Sequence, residues 1–96
     1  MSLTPKQRRY LRSLSHHRKP VVIIGHAGLT PAVTREIDQC LSQHELIKIK
    51  INNESKTKRK EIAATICMQT GSERVQDIGH ITIVYRAGTE PGISLP

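Results

Sequence analysis

Apolar residues recur along this chain with two different periods, and the switches between them mark out its elements. Leu3-Thr4-Pro5-Lys6-Gln7 predicts a helix start. Thr4 is the N-cap, Pro5 takes the first helical position, where no N–H is needed, and Gln7 closes a capping box. Gln7, Tyr10, Leu11 and Leu14 then share one face at helical spacing, and the helix should stop near His16, ahead of Arg18-Lys19-Pro20. Val21-Val22-Ile23-Ile24 is β-branched without polar alternation, the pattern of a strand covered on both faces or largely so. Thr30-Pro31 repeats the signal of N-cap and proline. It opens a second helix whose inward face is Val33, Ile37, Cys40, Leu41 and His44.

From Leu46 to Ile51 the period becomes two. Ile47, Ile49 and Ile51 point one way, and Leu46, Lys48 and Lys50 the other. A third helix, capped by Ser55, carries Ile62, Ala63, Ile66, Cys67 and Thr70 on its core face, with the stem of Arg59, and Gly71 suits its C-terminal end. Glu73 to Ile78 and His80 to Arg86 read as two short strands around Gly79. The order α-β-α-β-α-β-β defines an α/β (α+β two-layer) domain with a mixed four-stranded sheet over residues 1–86. Both crossover units should make parallel pairs, and the last strand should return antiparallel. Residues 87–96 hold two Gly and two Pro and no periodic pattern, which predicts an extended or disordered tail.

Charge sharpens this picture. Fifteen Lys and Arg against eight Asp and Glu leave +7 on 96 residues, an excess that calls for an acidic partner. Residues 1–28 hold six Lys and Arg and no acid, and Lys56-Thr57-Lys58-Arg59-Lys60 forms a second block. That block lies at the start of the third helix, where cations oppose the helix dipole, so it costs stability and points to a partner. The longest apolar run outside a helical pattern is Val21 to Ile24, and no signal-peptide core follows the basic N-terminus; the expectation is a cytoplasmic protein without membrane contact. With no Trp or Phe and only Tyr10 and Tyr85, there is no platform on which bases could stack. An RNA partner would be held through phosphates, sugars and shape.

Gly25-His26-Ala27-Gly28 is the segment most suited to chemistry. It hands a strand over to a helix. Glycine permits a tight turn and close approach of backbone to phosphate, and the helix N-terminus beyond it offers free amides. Pro31 removes one donor, which leaves the amides of Gly28, Leu29 and Thr30. A plain strand-to-helix turn would look the same by spacing. Five histidines and two cysteines show no HxxxH, CxxC or HxxE spacing, so neither a metal nor a cofactor is expected. Cys40 and Cys67 read as small buried hydrophobes, and Asp38 and Asp77 as ordinary surface carboxylates. No Ser or Cys stands in a nucleophile elbow, and no acid–base pair emerges, so an enzyme is not expected.

Taken together, several segments make the chain resemble the CRM domain family (chloroplast RNA splicing and ribosome maturation), in particular its stand-alone bacterial YhbY-type members. They are Leu3-Thr4-Pro5-Lys6-Gln7, His17 with Pro20-Val21-Val22, Gly25 to Thr30, His44 to Ile51, Gln76 with Gly79, and Val84-Tyr85-Arg86. The resemblance implies a fold similar to the C-terminal domain of translation initiation factor three. It also implies binding to ribosomal RNA or to precursors of the large ribosomal subunit, in ribosome assembly. The family's GxxG loop, its proposed RNA contact, falls on Gly25, His26, Ala27 and Gly28. Members often carry Asn before the second Gly and some carry Lys after the first; here Ala27 and His26 stand there, so side-chain bonding from the loop should be weaker. The expected RNA-binding residues are that loop with Leu29 and Thr30, and the cations Lys6, Arg9, Arg12, Arg18, Lys19, Lys56, Lys58, Arg59 and Lys60. A monomer with no small-molecule substrate is expected. The rivals are a DNA-binding module, for which no helix-turn-helix pair is present, and a small hydrolase, for which no nucleophile is.

Overall fold

In the computed structural model, which describes residues 2–96, each helix starts at a side chain that takes up one of its free amides. Helix α1 (Pro5–Ser15) has the full capping box: the Gln7 N–H donates to Thr4 Oγ1 and the Thr4 N–H to Gln7 Oε1, both at 3.1 Å. The Val33 N–H donates to Thr30 Oγ1 at 3.2 Å to start α2 (Pro31–His44), and the Lys58 N–H donates to Ser55 Oγ at 3.2 Å to start α3 (Lys56–Thr70). Gly71 closes α3 at φ +68°, the left-handed conformation that glycine adopts without strain. The strands are β1 (Pro20–Ile24), β2 (Leu46–Ile51), β3 (Glu73–Ile78) and β4 (Ile81–Tyr85).

The element order and the mixed four-stranded sheet are as expected, but the strands lie in the order β1-β2-β4-β3. β1 and β2 pair in parallel. β2 and β3 do not touch, because β4 turns back at Gly79 and inserts between them, antiparallel to both. Burial explains the placement. Thr82, Ile83, Val84 and Tyr85 are all buried and suit a central strand, whereas Asp77 and Ile78 are exposed and suit an edge.

The two-layer expectation needs correcting to three layers, since β2 and β4 carry apolar side chains on both faces. Ile47, Ile49, Ile51 and Val84 meet Ile37, Leu41, Ala63 and Ile66 of α2 and α3. Leu46, Ile83 and Tyr85 meet Leu3 and Leu11 on the other side, with Val75. One layer of helices cannot cover both faces, so α1 packs opposite α2 and α3. It is anchored at the end of the sheet where β2 begins. The Leu3 N–H donates to Glu73 Oε2 at 2.7 Å, Arg8 donates to the Arg74 carbonyl, and Arg18 Nη1 donates to the Leu46 carbonyl at 2.6 Å. The far half of that face stays open. This overturns the reading of β1 as a strand covered on both sides: Val22 and Ile24 are buried, but Val21 is 45% and Ile23 61% exposed on an edge strand. Tyr10 likewise leaves the expected core face of α1, at 39% exposure.

Residues 87–96 contain no helix or strand and are largely exposed, as an extended tail would be, but they are tied down at a few points. Ile93 and Leu95 join the cluster beneath α1. Glu45, which caps α2 with φ +62°, holds the segment by its carboxylate: Gly88, Gly92 and Ile93 donate their N–H groups to it at 2.6, 2.8 and 3.0 Å. The Gly88 N–H does most to hold the Glu45 carboxyl below its ordinary value, with Gly92 and Ile93 adding to it, against the opposing effect of burial. Cys40 and Cys67 are free and half-buried against the α2–α3 cluster, and burial is the main cause that raises both thiols.

Glu45→Gln should therefore loosen the last ten residues. Charge-assisted bonds are worth more than neutral ones, so a loss of about 1–3 kcal/mol is expected. Hydrogen exchange should show faster exchange at Gly88, Gly92 and Ile93. Because the folded carboxyl is depressed, this contribution is complete above the ordinary value of 4.5 and is lost as pH falls through the lower folded value. Thermal melts of the wild type and Glu45→Gln should thus stay apart above the ordinary value of 4.5 and draw together as pH falls below it.

Candidate nucleic-acid interface

Because β1 and β2 run parallel, the loops that follow them emerge at the same end of the sheet, with the N-termini of α2 and α3. The β3–β4 turn reaches that end too. Backbone bonds join the three: the Asn52 N–H donates to the Ile24 carbonyl at 2.9 Å and the Ile51 N–H to the His80 carbonyl at 2.7 Å. The β2–α3 loop is closed by the Ser55 N–H donating to Asn53 Oδ1 at 2.9 Å and Arg59 Nη1 to the Asn53 carbonyl at 2.7 Å. His26, Asn52, Asn53, Glu54 and His80 surround an open hollow of about 450 Å³.

Gly25 to Gly28 form a four-residue turn in which the Gly28 N–H donates to the Gly25 carbonyl at 3.0 Å. That bond uses one of the three amides expected to be free. Among the described residues, those of Leu29 and Thr30 have no protein acceptor. The two glycines are not equivalent. Gly28 has φ +72°, which the turn requires, whereas Gly25 has no such φ and a Cβ there would meet nothing within 4 Å. The fold thus explains Gly28 and leaves Gly25 unexplained by packing. His26 and Ala27 are exposed at the tip, and Leu29 packs against the α2–α3 core.

The sequence-predicted cations fall in three places. Lys56, Lys58 and Lys60 are exposed on the first turns of α3, the helix that follows Glu54 at the edge of the hollow, and Lys58 lies 3.7 Å from Glu61 in an exposed ion pair. No acid stands in that first turn to complement the dipole. Arg59 is committed to the Asn53 carbonyl, so its role is to shape the loop. Lys6, Arg9 and Arg12 lie on α1, in the opposite layer. Arg18 and Lys19 precede β1 and are separated from the turn by its five residues, roughly 16 Å at 3.3 Å each. Arg18 is spent on the carbonyls of Leu46 and His44.

Sequence reasoning missed Asn52, Asn53 and His80. The two asparagines follow β2 as Gly25 follows β1, so parallel pairing was the signal that could have found them; His80 arrives only with the inserted hairpin. A second missed feature is the open half of the sheet. There Ile23, Lys50, Ile81 and Ile78 lie side by side across all four strands, with Ile23 and Ile78 at 61% and 51% exposure.

These features define a class: a single α/β module that gathers a glycine turn, two helix N-termini and free lysines at one sheet end. The chain belongs to the CRS1/YhbY (CRM) domain family, whose profile matches residues 3–86. It is 41% identical over 95 residues to the RNA-binding protein of Haemophilus influenzae, covering 99% of this chain and 96% of that one. It is 31% identical over 88 residues to the probable RNA-binding protein YqeI of Bacillus subtilis, covering 92% of each. Its fold is similar to the solution structure of SAV1595, a hypothetical protein of Staphylococcus aureus ascribed RNA binding. The TM-score is 0.86 and the identity 40%, over 99% of this chain and 100% of that one.

The contrast between the glycines is testable by melting. Gly28→Ala should cost about 1–2 kcal/mol, the penalty for a Cβ in the left-handed region. Gly25→Ala should change stability by less than about 0.5 kcal/mol.

Proposed function

We propose that this protein binds structured ribosomal RNA in precursors of the large ribosomal subunit and acts in their assembly, as a cytoplasmic monomer without catalysis. The observation that carries the RNA reading is the convergence at the carboxyl ends of β1 and β2. The free amides of Leu29 and Thr30 receive a phosphate, and Lys56 and Lys60, further across the same end of the sheet, add positive charge for the rest of the strand. Relatives named as RNA-binding proteins support this reading, and the ribosomal target follows from the family resemblance. Among the described residues no helix is long and apolar enough to cross a membrane, and no three His, Cys, Asp or Glu are grouped as metal ligands. The scarcity of aromatic residues makes phosphate and sugar contacts dominant over base stacking.

Filter binding should retain structured large-subunit RNA more tightly than duplex DNA of equal length; equal retention would favour a general polyanion binder. With about 5 phosphates neutralised, log affinity should fall against log salt with a slope of roughly −3.5 to −4.5, between the single-strand and duplex values. A slope near zero would remove the phosphate mechanism. Gly25→Asp, which the fold accommodates, should weaken RNA binding by about 10-fold or more, equivalent to roughly 1.4 kcal/mol, with circular dichroism unchanged. Unchanged affinity would reduce the turn to architecture.

A further inference from the structure

Lys56 and Lys60 of α3 line a cleft that is separate from the hollow at the glycine turn and adjoins it at His80. This cleft lies between the first turns of α3 and the β3–β4 hairpin and has a volume of about 260 Å³. Its lining is mixed. Lys56 and Lys60 are cationic, Ile81 is apolar, and Asp77 and Thr82 contribute a carboxylate and a hydroxyl. The volume falls short of the roughly 300–1,000 Å³ of pockets for drug-sized ligands, and suits a single planar base.

The carboxylate decides the ligand chemistry. Thr82 Oγ1 donates to Asp77 Oδ1 at 2.7 Å, and Arg74 Nη1 lies 3.4 Å from Oδ2. A carboxylate has about four acceptor positions, so each oxygen retains one. The Asp77 side chain is 30% exposed, so those positions are reachable. A bare phosphate would be drawn by the lysines but repelled by Asp77. The matching ligand carries a negative group for the lysines and a pair of adjacent N–H donors for the carboxylate. Among the common bases, guanine presents such a pair, N1–H and the 2-amino group; adenine offers an acceptor at N1.

We propose that the cleft between α3 and the β3–β4 hairpin takes up one unpaired guanine of the bound RNA, with Asp77 accepting from its Watson–Crick edge and Lys56 and Lys60 holding the adjoining phosphate. The proposal rests on the RNA-binding reading and adds base selectivity to a surface that otherwise reads only phosphates. His80 lines both the hollow and the cleft, so one strand can run from the glycine turn into the cleft.

The test is an amide NMR titration of the full chain with 5′-GMP, 5′-AMP and inorganic phosphate in turn. GMP should shift the amides of Asp77, Gly79, His80 and Ile81, with affinity roughly tenfold above AMP, the discrimination a bidentate pair gives. Asp77→Asn keeps an acceptor for Thr82 and should remove the preference, while Lys56→Gln with Lys60→Gln should weaken both nucleotides and keep it. Equal response to GMP and AMP, phosphate reproducing the GMP shifts, no shift at these amides, or a preference that survives Asp77→Asn would each overturn the proposal. Filter binding of large-subunit RNA to the same preparation separates the two levels. RNA retained without a GMP response overturns the cleft alone, whereas loss of RNA retention overturns the RNA reading itself.

Discussion

Strand β2 is hydrogen-bonded to β1 on one side and to β4 on the other, and it is packed from above and below. Its alternation sets what each layer can be. Ile47, Ile49 and Ile51 require an apolar lid, which α2 and α3 supply, while Leu46 requires a second lid on the reverse face, which α1 supplies. Lys48 and Lys50 occupy the same reverse face further along, and they cannot be buried without partners. The lid therefore stops short, and the end of the sheet that carries the loops stays open. A one-residue slip of β2 would turn its isoleucines towards α1 and its lysines into the main core, so the register is strongly specified.

The two ends of the molecule are built differently. At the closed end Glu45 gathers three backbone amides, and Arg86 donates to Asp38, Ser42 and the Thr70 carbonyl, tying β4 to α2 and α3. The Asp38–Arg86 contact, at 2.5 Å, makes Asp38 more than an ordinary surface carboxylate, and Asp77 is likewise engaged with Thr82 and Arg74. Glu45 tolerates a positive φ that would suit glycine, and glycine could not supply the carboxylate that holds residues 88–93. At the open end the loops are cross-linked mostly through backbone, which leaves side chains and amides facing outward. A rigid scaffold beneath exposed loops is the usual arrangement for a binding surface.

The positive charge also divides by residue type. Arg8, Arg18, Arg59, Arg74 and Arg86 each donate to backbone carbonyls and hold elements together. A planar guanidinium with five donors suits that work. Lys19, Lys50, Lys56 and Lys60 remain exposed, with flexible stems and compact charges. A net charge of +7 thus overstates the cation available to a partner, since much of the arginine share is structural.

Local chemistry made the helices legible. Thr4 with Pro5 and Gln7, Thr30 with Pro31, Ser55 and Gly71 mark starts and stops that depend only on neighbours within a few residues. The inward stripe of α3 and the alternation of β2 were equally readable, because burial on one face imposes the period directly. The glycine turn and the lysines of α3 could be named as candidates for the same reason. Other features depend on partners far away in sequence. The insertion of β4 between β2 and β3 made β3 an edge and brought His80 beside His26, 54 positions earlier. The packing of α1 on the reverse face, the docking of residues 87–96 onto Glu45, and the assignment of Arg18 and Arg59 to carbonyls were likewise invisible to local pattern. Composition tells that a side chain is charged or apolar. Whether it is spent inside the protein or left for a partner depends on which distant backbone groups the fold brings within reach, and only the tertiary structure decides that.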